Sequence, residues 1–262
     1  MIGFIGGGNM AEALIKGMHS RGMKDILVSE PRSERRIELE RGYGVRTTPA
    51  NMEVASSCDI IILAVKPQNM EAVLSETAGG ITEDKTVVSI AAGITLSFLA
   101  SRLKTKKLVR VMPNTPALVL EGMSVISLCD CFPDKDMSVV MEIFMSIGKV
   151  LTLPEKYMNA VTALSGSGPG FIAFFIEAMR DSGEAMGLNR ADASDLAVQT
   201  LLGTAKLLDT GMPPEKLRQM VTSPGGTTEA GLRVFSERGL MGIVKDALDA
   251  AKRRAEELGR KD

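Results

Sequence analysis

The sequence predicts an α/β protein in which a doubly wound domain is followed by an all-α domain. In the first half of the chain, short apolar runs rich in β-branched residues alternate with amphipathic segments, which is the pattern of a parallel sheet with crossover helices. After about Tyr157 the strand-like runs stop and long helical periodicity takes over. We therefore place the domain boundary near Glu155, which gives a first domain of residues 1–155 and a second of residues 156–262.

The elements of the first domain follow from the spacing of its apolar residues. Asp59–Val65 is apolar without alternation, as expected of a strand that is buried on both faces. Strands are expected at residues 2–5, 26–29, 45–46, 59–65, 85–90, 108–112, 125–128 and 150–153. Helices are expected at residues 11–21, 33–41, 69–77 and 135–146, the last of them between the two strands that complete the sheet.

The second domain is expected to contain helices only. Its segment Phe171–Ile176 is apolar on nearly all sides, and a helix of that kind is usually enclosed. In so small a domain the expected cover is a partner subunit, so the sequence predicts a homodimer. The helices are expected at residues 158–164, 171–186, 192–208, 214–221, 228–237 and 240–258.

Composition argues against several kinds of function. The net charge is −1 and no long basic run occurs, so we expect no binding to nucleic acid or to a membrane surface. No uninterrupted apolar stretch reaches the roughly 18 residues of a membrane span, and glycines break the apolar N-terminal run, which argues against a secretory signal. Three cysteines are too few for a disulfide framework. We expect a cytoplasmic protein with reduced thiols and no metal site.

The single histidine limits the chemistry. A nucleophile system that depends on histidine would have to use His19, which lies on the helix after the N-terminal glycines. That helix should pack against the sheet, so we expect His19 to be a helix-surface or structural residue, and we expect no histidine acid–base catalysis.

A glycine signature near the N-terminus predicts a dinucleotide site. Gly6-x-Gly8-x-x-Ala11 follows a strand and opens a helix, which is the context that the fingerprint of Rossmann-type domains requires. Gly6 permits the tight turn, Gly8 lets the backbone approach the pyrophosphate, and Ala11 keeps the helix close to the sheet. The N–H groups at the start of the helix would face the phosphates. The alternative is a tight strand–helix turn without a ligand.

The residues after the second strand leave the choice between NADH and NADPH open. Glu30 lies 19 residues past Ala11, where a carboxylate would bond the ribose 2′-OH and repel a 2′-phosphate. Ser29 and the arginines that follow could instead cradle that phosphate, since arginine matches phosphate bidentately. The same arginines could equally belong to a solvated helix face that pairs with acidic neighbours. They are Arg32, Arg35 and Arg36.

Three later loops of the first domain should meet at one edge of the sheet. They follow the expected strands at residues 59–65, 85–90 and 108–112, and in an open α/β sheet the loops at the carboxyl ends of strands line the ligand crevice. Small residues in the second loop leave space for a nicotinamide ring, and Asn114 in the third could bond its carboxamide or, through water, the substrate. The alternative is that these are ordinary turn residues. The expected cofactor contacts are Val65, Lys66, Pro67, Ala91, Ala92, Gly93 and Asn114.

A second glycine signature, Ser223-Pro-Gly-Gly-Thr-Thr228, predicts a site for a small anion. Gly225 and Gly226 release backbone N–H groups just before a helix, whose N-terminus adds partial positive charge. The hydroxyls of Thr227 and Thr228 are further donors. Such a loop suits a carboxylate without using an arginine, and the alternative is a plain helix cap. Together, the two signatures indicate a reductase whose substrate carries a carboxylate.

Another glycine turn, Ser165-Gly-Ser-Gly-Pro-Gly170, opens the apolar helix at Phe171. It could simply allow close packing between the domains. Its position at the expected cleft makes Ser165 and Ser167 candidate substrate contacts.

Taken in order, several segments of the chain resemble those of pyrroline-5-carboxylate reductases. They are residues 3–11, 65–68, 91–93, 111–117, 164–169 and 223–228, and the last is the most specific to the family. The resemblance runs nearly end to end. It implies reduction of the cyclic imine L-1-pyrroline-5-carboxylate to L-proline with NADH or NADPH, the final step of proline biosynthesis. It also implies a Rossmann domain and a helical domain that dimerises by interleaving helices, often with further assembly of dimers.

The resemblance further implies roles for individual residues. The loop 225–228 would take the substrate carboxylate, with Thr228 as the main side-chain contact and the candidate catalytic residue; Ser223 belongs to the same loop. Gly8 and Gly170 stand where many relatives have alanine or another small residue. Around the dinucleotide would lie Gly6, Gly7, Gly8, Asn9, Met10, Asn51, Val65, Lys66 and Ala92.

The implied chemistry agrees with the shortage of histidine. A cyclic imine that carries a carboxylate is readily protonated in water, so hydride transfer to its carbon needs positioning more than a strong general acid. Two other classes share parts of the pattern. β-Hydroxyacid dehydrogenases use a lysine of the helical domain, and the stretch Phe171–Ala178 contains none. A dinucleotide-sensing regulatory protein would bind the cofactor without oxidising it in the presence of a cyclic imine.

Overall fold

The structure, a computed structural model, describes residues 1–129 and 134–259 and divides into two compact units. The first unit is Met1–Ser167 together with the chain from Ala250 onward, and the second is Gly168–Asp249. Residues 156–167 belong to the first unit because Met158 and Val161 pack with Val125 in a small apolar cluster. The functional division near Glu155 stays a prediction.

The first unit is built on one sheet of eight strands. The strands are β1 Ile2–Ile5, β2 Ile26–Ser29, β3 Arg46–Thr48, β4 Ile60–Leu63, β5 Thr86–Ser89, β6 Leu108–Met112, β7 Gly122–Leu128 and β8 Gly148–Thr152. Their order is β3-β2-β1-β4-β5-β6-β7-β8. Strands β1 to β6 are parallel, β7 is antiparallel to β6, and β8 is parallel to β7. The order reverses between β1 and β4, which is the switch point where doubly wound sheets bind ligands.

Helices cover both faces of this sheet, as the sequence predicted. The packing of strand β4 explains why its sequence is apolar without alternation. Ile62 packs into the core on one face of the sheet, while Ile61 and Leu63 pack into the core on the other. The helices of the first unit are α1 Asn9–Ser20, α2 Ser33–Tyr43, α3 Asn51–Ser57, α4 Met70–Thr77, α5 Leu96–Ala100, α6 Asp134–Met145 and α7 Met158–Val161. The predicted class, a doubly wound domain followed by helices, is confirmed.

Some elements differ from the expectation. Helices α3 and α5 were not predicted; both are short and depend on tertiary packing, since Val54 and Leu99 are completely buried. The third strand begins one residue later than expected and runs to Thr48. Strand β4 is shorter than predicted because the chain leaves the sheet after Leu63.

The second unit contains helices only. They are α8 Gly168–Ala185, α9 Arg190–Asp209, α10 Pro214–Met220, α11 Thr227–Glu237 and α12 Leu240–Gly259, whose last ten residues belong to the first unit. Helices α8 and α9 approach closely, and a Cβ on Gly183 would lie 3.1 Å from the Ala193 Cβ. The apolar side chains of α8 are not enclosed by this chain: Phe174 is 72% exposed and Ile172 is 49% exposed.

Two further findings bear on the expected absences. By length and composition alone, the helical stretch Glu155–Ala185 is apolar enough to cross a membrane. The expectation of no membrane association therefore stays a prediction. Within residues 1–129 and 134–259, no three histidine, cysteine, aspartate or glutamate side chains group as metal ligands.

Candidate active site

The turn between β1 and α1 requires glycine at position 6. Gly6 has a φ of +101°, and a Cβ there would lie 2.8 Å from the carbonyl oxygen of Ala64. Its N–H donates to the carbonyl of Ser29 at 2.9 Å, which continues the pairing of β1 with β2. The turn is therefore held against the carboxyl ends of both neighbouring strands.

The start of α1 is open to a ligand. Gly8 is the N-cap residue, and within the described part of the chain no side chain caps it. A Cβ on Gly8 would meet no atom within 4 Å. The first N–H groups of a helix have no partner inside the helix, and they lie at its positive end. The turn of Gly6 to Met10 thus has the uncapped helix start that an anion-binding turn requires.

Glu30 lies directly after β2, beside this turn. It is 5% exposed, and its Oε2 accepts a hydrogen bond from the Gly7 N–H at 3.1 Å. Its Oε1 accepts from the N–H and the Nε of Arg32 at 3.1 and 2.8 Å. Burial by itself would raise the pKa of Glu30, but the hydrogen bonds from Arg32 and Gly7 and the charge of Arg32 outweigh it and hold the pKa below its ordinary value. The structure thus places a carboxylate where a dinucleotide's ribose is expected.

The three arginines near Glu30 bond to other groups of the protein. Arg35 donates to a carbonyl of the glycine turn at 2.8 Å and pairs with the carboxylates of Glu12 and Glu38. The pKa of Glu12 is held below its ordinary value, chiefly by the hydrogen bond from Arg35. Arg36 donates to two backbone carbonyls just after β2, at 2.8 and 2.9 Å. Arg32 bonds to the Glu30 carboxylate and is 66% exposed. These contacts agree with the interpretation of a paired helix surface.

Ser29 and Asn51 are linked at the ends of β2 and β3. The Ser29 hydroxyl donates to Oδ1 of Asn51 at 2.8 Å, and the Asn51 amide donates to a carboxylate oxygen of Glu76 at 2.8 Å. Ser29 is completely buried and has no surface with which to touch a cofactor, which departs from the expectation of a direct contact. Its observed role is to hold Asn51, which is partly exposed.

The loops after β4, β5 and β6 lie at the same edge as the glycine turn because all these strands are parallel. Gly93 is fixed by packing, since its φ is +80° and a Cβ would lie 3.0 Å from the backbone nitrogen of Gly259. Among the predicted contacts in the first two loops, Lys66 is exposed, Val65, Pro67 and Ala92 are half-buried, and Ala91 and Gly93 are buried.

Asn114 joins the loop after β6 to the segment that precedes the second unit. Its Nδ2 donates to the Ser165 carbonyl at 3.1 Å, and its Oδ1 accepts from the Met123 N–H at 2.8 Å. Residues 162–166 form a π-helix, a conformation frequent at functional sites. Ser165 and Ser167 are half-buried. Asn114 therefore has a structural role that the sequence did not predict.

The loop before α11 has the backbone form expected of an anion site. Gly225 has a φ of +73°, and Gly226 is the extended N-cap residue of α11. The Gly225 N–H donates to the carboxylate of Glu229 at 2.7 Å. A carboxylate of the protein itself thus binds an amide that the sequence assigned to the substrate. The expectation that Gly226 also offers its N–H is wrong, because the turn directs this N–H to the Ser223 carbonyl at 3.0 Å. Among the predicted contacts, Ser223, Gly225 and Thr227 are exposed, and Gly226 and Thr228 are half-buried.

Glu229 was missed by the sequence reasoning. It is the third residue of α11, and an acidic residue at this position commonly reaches back over the N-terminus of its helix. The spacing of Glu229 from the N-cap residue Gly226 is the signal that could have revealed it. The glycine turn lies in the first unit and this loop in the second.

Comparison with known proteins gives a consistent result along the chain. The model for pyrroline-5-carboxylate reductase dimerisation matches residues 155–258, and the model for coenzyme F420-dependent NADP oxidoreductase matches residues 1–93. A pyrroline-5-carboxylate reductase from Synechocystis sp. is 41% identical, and one from Methanosarcina acetivorans is 42% identical; each match covers 99% of this chain and 98% of the relative.

Solved structures give the same result. The pyrroline-5-carboxylate reductase of Coxiella burnetii has a TM-score of 0.91 at 34% identity, covering 99% of this chain and 98% of that one. The pyrroline carboxylate reductase of Plasmodium falciparum, with NADP bound, has a TM-score of 0.88 at 30% identity. The match covers 98% of this chain and 97% of that one.

Proposed function

The chain belongs to the pyrroline-5-carboxylate reductase family, and on that premise we propose that it reduces L-1-pyrroline-5-carboxylate to L-proline with NADH or NADPH. This reaction is the final step of proline biosynthesis. The observation that carries the substrate site is the hydrogen bond between the Gly225 N–H and the Glu229 carboxylate. It supports a loop whose amide is directed so that a carboxylate can bind it, and the substrate carries one carboxylate on the same ring as its imine.

The residues of the first unit fit a nicotinamide dinucleotide. The uncapped start of α1 and the open space at Gly8 suit the pyrophosphate, and Glu30 lies where the ribose is expected. The loops after β4 and β5, with Val65 and Ala92, extend this surface along the edge of the sheet. When the reduced cofactor is bound, it supplies the hydride.

The protein's own groups bind and orient the substrate. The Gly225 N–H and the hydroxyls of Thr227 and Thr228 hold its carboxylate, and Glu229 releases the Gly225 amide when the substrate arrives, while the Gly226 N–H stays bonded to the Ser223 carbonyl. Holding the carboxylate restricts the ring to one orientation, which is the main contribution such a site makes to the rate.

The chemistry requires no histidine. The imine nitrogen is readily protonated in water, so hydride transfer needs positioning more than a strong general acid. His19 is exposed in the last turn of α1, about 15 Å along the helix from the glycine turn, because a helix rises about 1.5 Å per residue. We assign it no role in the reaction.

The second unit provides the dimer interface. Its helices expose large apolar side chains, among them Phe174 at 72%, Met241 at 87% and Ile243 at 59%, and surfaces of this kind mark protein contacts. We assign residues 1–155 to dinucleotide binding and residues 156–262 to dimerisation and substrate binding. A higher assembly of dimers and a cytoplasmic location complete the proposal.

A spectrophotometric assay tests the function. Oxidation of NADH and of NADPH is followed with and without L-1-pyrroline-5-carboxylate, and proline is quantified by chromatography. We expect oxidation that depends on the imine, with one proline formed for each cofactor oxidised. Tight binding of a dinucleotide without such oxidation would identify a regulatory protein and contradict the proposal.

A further inference from the structure

We propose that Glu30 makes this protein select NADH over NADPH, an inference that rests on the proposed use of a nicotinamide dinucleotide. NADPH differs from NADH by a phosphate on the 2′-oxygen of the adenosine ribose. Selection therefore depends on the groups that face this one oxygen. In Rossmann-type domains these groups follow the second strand, the position of Glu30.

The position of the Glu30 carboxylate is fixed by the backbone. Pairing of β1 with β2 sets Ser29 opposite Ile5, so the next residue, Glu30, comes beside the glycine turn. The Gly7 N–H then donates to Glu30 Oε2 at 3.1 Å, and a Cβ on Gly7 would lie 3.2 Å from the Glu30 Cβ. The side chain is only 5% exposed, so it has little freedom to turn away from a ligand.

The carboxylate is also held in its charged form. Hydrogen bonds from Arg32 and Gly7 outweigh the effect of burial and keep the pKa of Glu30 below its ordinary value. A ribose 2′-hydroxyl can donate to such a carboxylate. A 2′-phosphate carries negative charge and would lie against a buried negative charge that solvent screens poorly.

The nearby cations do not offset this repulsion. Arg35 is 15% exposed, and its guanidinium is bonded to Glu12, to Glu38 and to a carbonyl of the glycine turn. Arg36 donates to two backbone carbonyls. Arg32 is exposed, but it donates to Glu30 through Nε at 2.8 Å and Nη2 at 3.4 Å, so much of its charge is already compensated by that carboxylate. The arginine cradle that the sequence left open is therefore already engaged within the protein.

Equilibrium binding tests the inference without relying on turnover. Titration calorimetry on the full chain measures Kd for NADH and NADPH, and for AMP and adenosine 2′,5′-bisphosphate, which isolate the ribose end. We expect the unphosphorylated member of each pair to bind at least tenfold more tightly. In Glu30→Gln, which removes the charge and keeps an acceptor for Gly7, the ratio should fall below threefold, mainly through tighter binding of NADPH.

Glu34→Gln is the matched control. It removes the same charge from the same segment, but Glu34 is exposed, so the selectivity should stay within twofold of the wild type. The inference is overturned if wild-type protein binds NADPH as tightly as NADH, or if a folded Glu30→Gln protein keeps the wild-type ratio. Should that variant fail to fold, the wild-type ratios for both ligand pairs decide alone. Selective binding of NADH without reduction of the imine would leave this inference standing and refute the proposed function.

Discussion

Gly6 and Gly8 lie two residues apart in the same turn, yet the structure predicts very different losses of stability when each is replaced by alanine. Gly6 has a φ of +101°, and its added Cβ would lie 2.8 Å from the Ala64 carbonyl oxygen and 3.1 Å from Val65 Cγ1. Gly8 has an ordinary φ of −71°, and its added Cβ would meet nothing within 4 Å. The two variants therefore separate the folding role of this turn from its binding role.

The magnitudes follow from these contacts. A left-handed backbone costs a residue with a Cβ about 1–2 kcal/mol, and forcing a group against fixed backbone costs about 1–3 kcal/mol. Gly6→Ala should therefore lower the free energy of unfolding by about 2–5 kcal/mol, a large part of the roughly 5–15 kcal/mol typical of a folded protein. Gly8→Ala should change it by less than about 1 kcal/mol, because the gain from restricting the unfolded chain is offset by the poorer N-cap preference of alanine.

Urea unfolding without dinucleotide measures the free energy of unfolding, and titration calorimetry measures Kd for NADH. A third variant, Gly8→Leu, should keep its stability within about 1 kcal/mol because the space beside Gly8 is open. This variant should raise Kd for NADH at least tenfold, because the pyrophosphate is expected in that space. A Gly6→Ala protein as stable as the wild type, or a stable Gly8→Leu protein with unchanged NADH affinity, would refute the reasoning.

Thr228→Ala removes one hydroxyl from the proposed carboxylate site, so KM for the imine should rise about tenfold or more while Kd for NADH changes less than twofold; Thr210→Ala is the control, because that exposed hydroxyl only donates to a backbone carbonyl. Unchanged imine kinetics would remove Thr228 from the site. Glu229→Gln weakens the internal competitor for the Gly225 N–H, so steady-state kinetics should give a lower KM with kcat within about twofold, and a raised KM would mean that Glu229 assists binding. Burial raises the pKa of the Cys58 thiol to about 11. The stability that this group contributes is complete below about pH 9 and is lost as the pH rises towards 11, by up to about 3 kcal/mol. Urea unfolding across that range should show a steeper decline in wild type than in Cys58→Ala, and equal slopes would contradict the burial of the thiol.

Prediction of the fold from the sequence succeeded where the pattern is local and long enough. Strand β4 is an apolar run without alternation, and the observed packing of Ile61 and Ile62 into cores on opposite faces is its cause. The seven residues of α3 and the five of α5 are too few to show a helical period, and burial of Val54 and Leu99 stabilises them instead. The apolar run of β7 reads the same in either direction, so only the structure showed that it is antiparallel to β6.

The candidate site divides in the same way. Gly6, Gly8 and the loop 225–228 were recognisable because glycine in a turn states a backbone requirement of its own position. The ion pair of Arg35 could not be predicted from the sequence, because its partner Glu12 is 23 residues away in the chain. The burial of Ser29 and the bond of Asn114 to Ser165 likewise depend on distant segments.

The amino-acid sequence by itself determined the succession of the longer strands and helices along the chain, because hydrophobic periodicity acts over a few neighbouring residues. It also determined the two glycine loops and the family, because a glycine turn states the backbone conformation of its own position. Only the tertiary structure decided which charged groups are free. It pairs Arg35 with Glu12 and buries the charge of Glu30 beside Gly7, and in both contacts the partners lie 23 residues apart in the chain. Ion pairing and burial depend on which groups come within a few ångströms in space, and spacing along the chain does not contain that information.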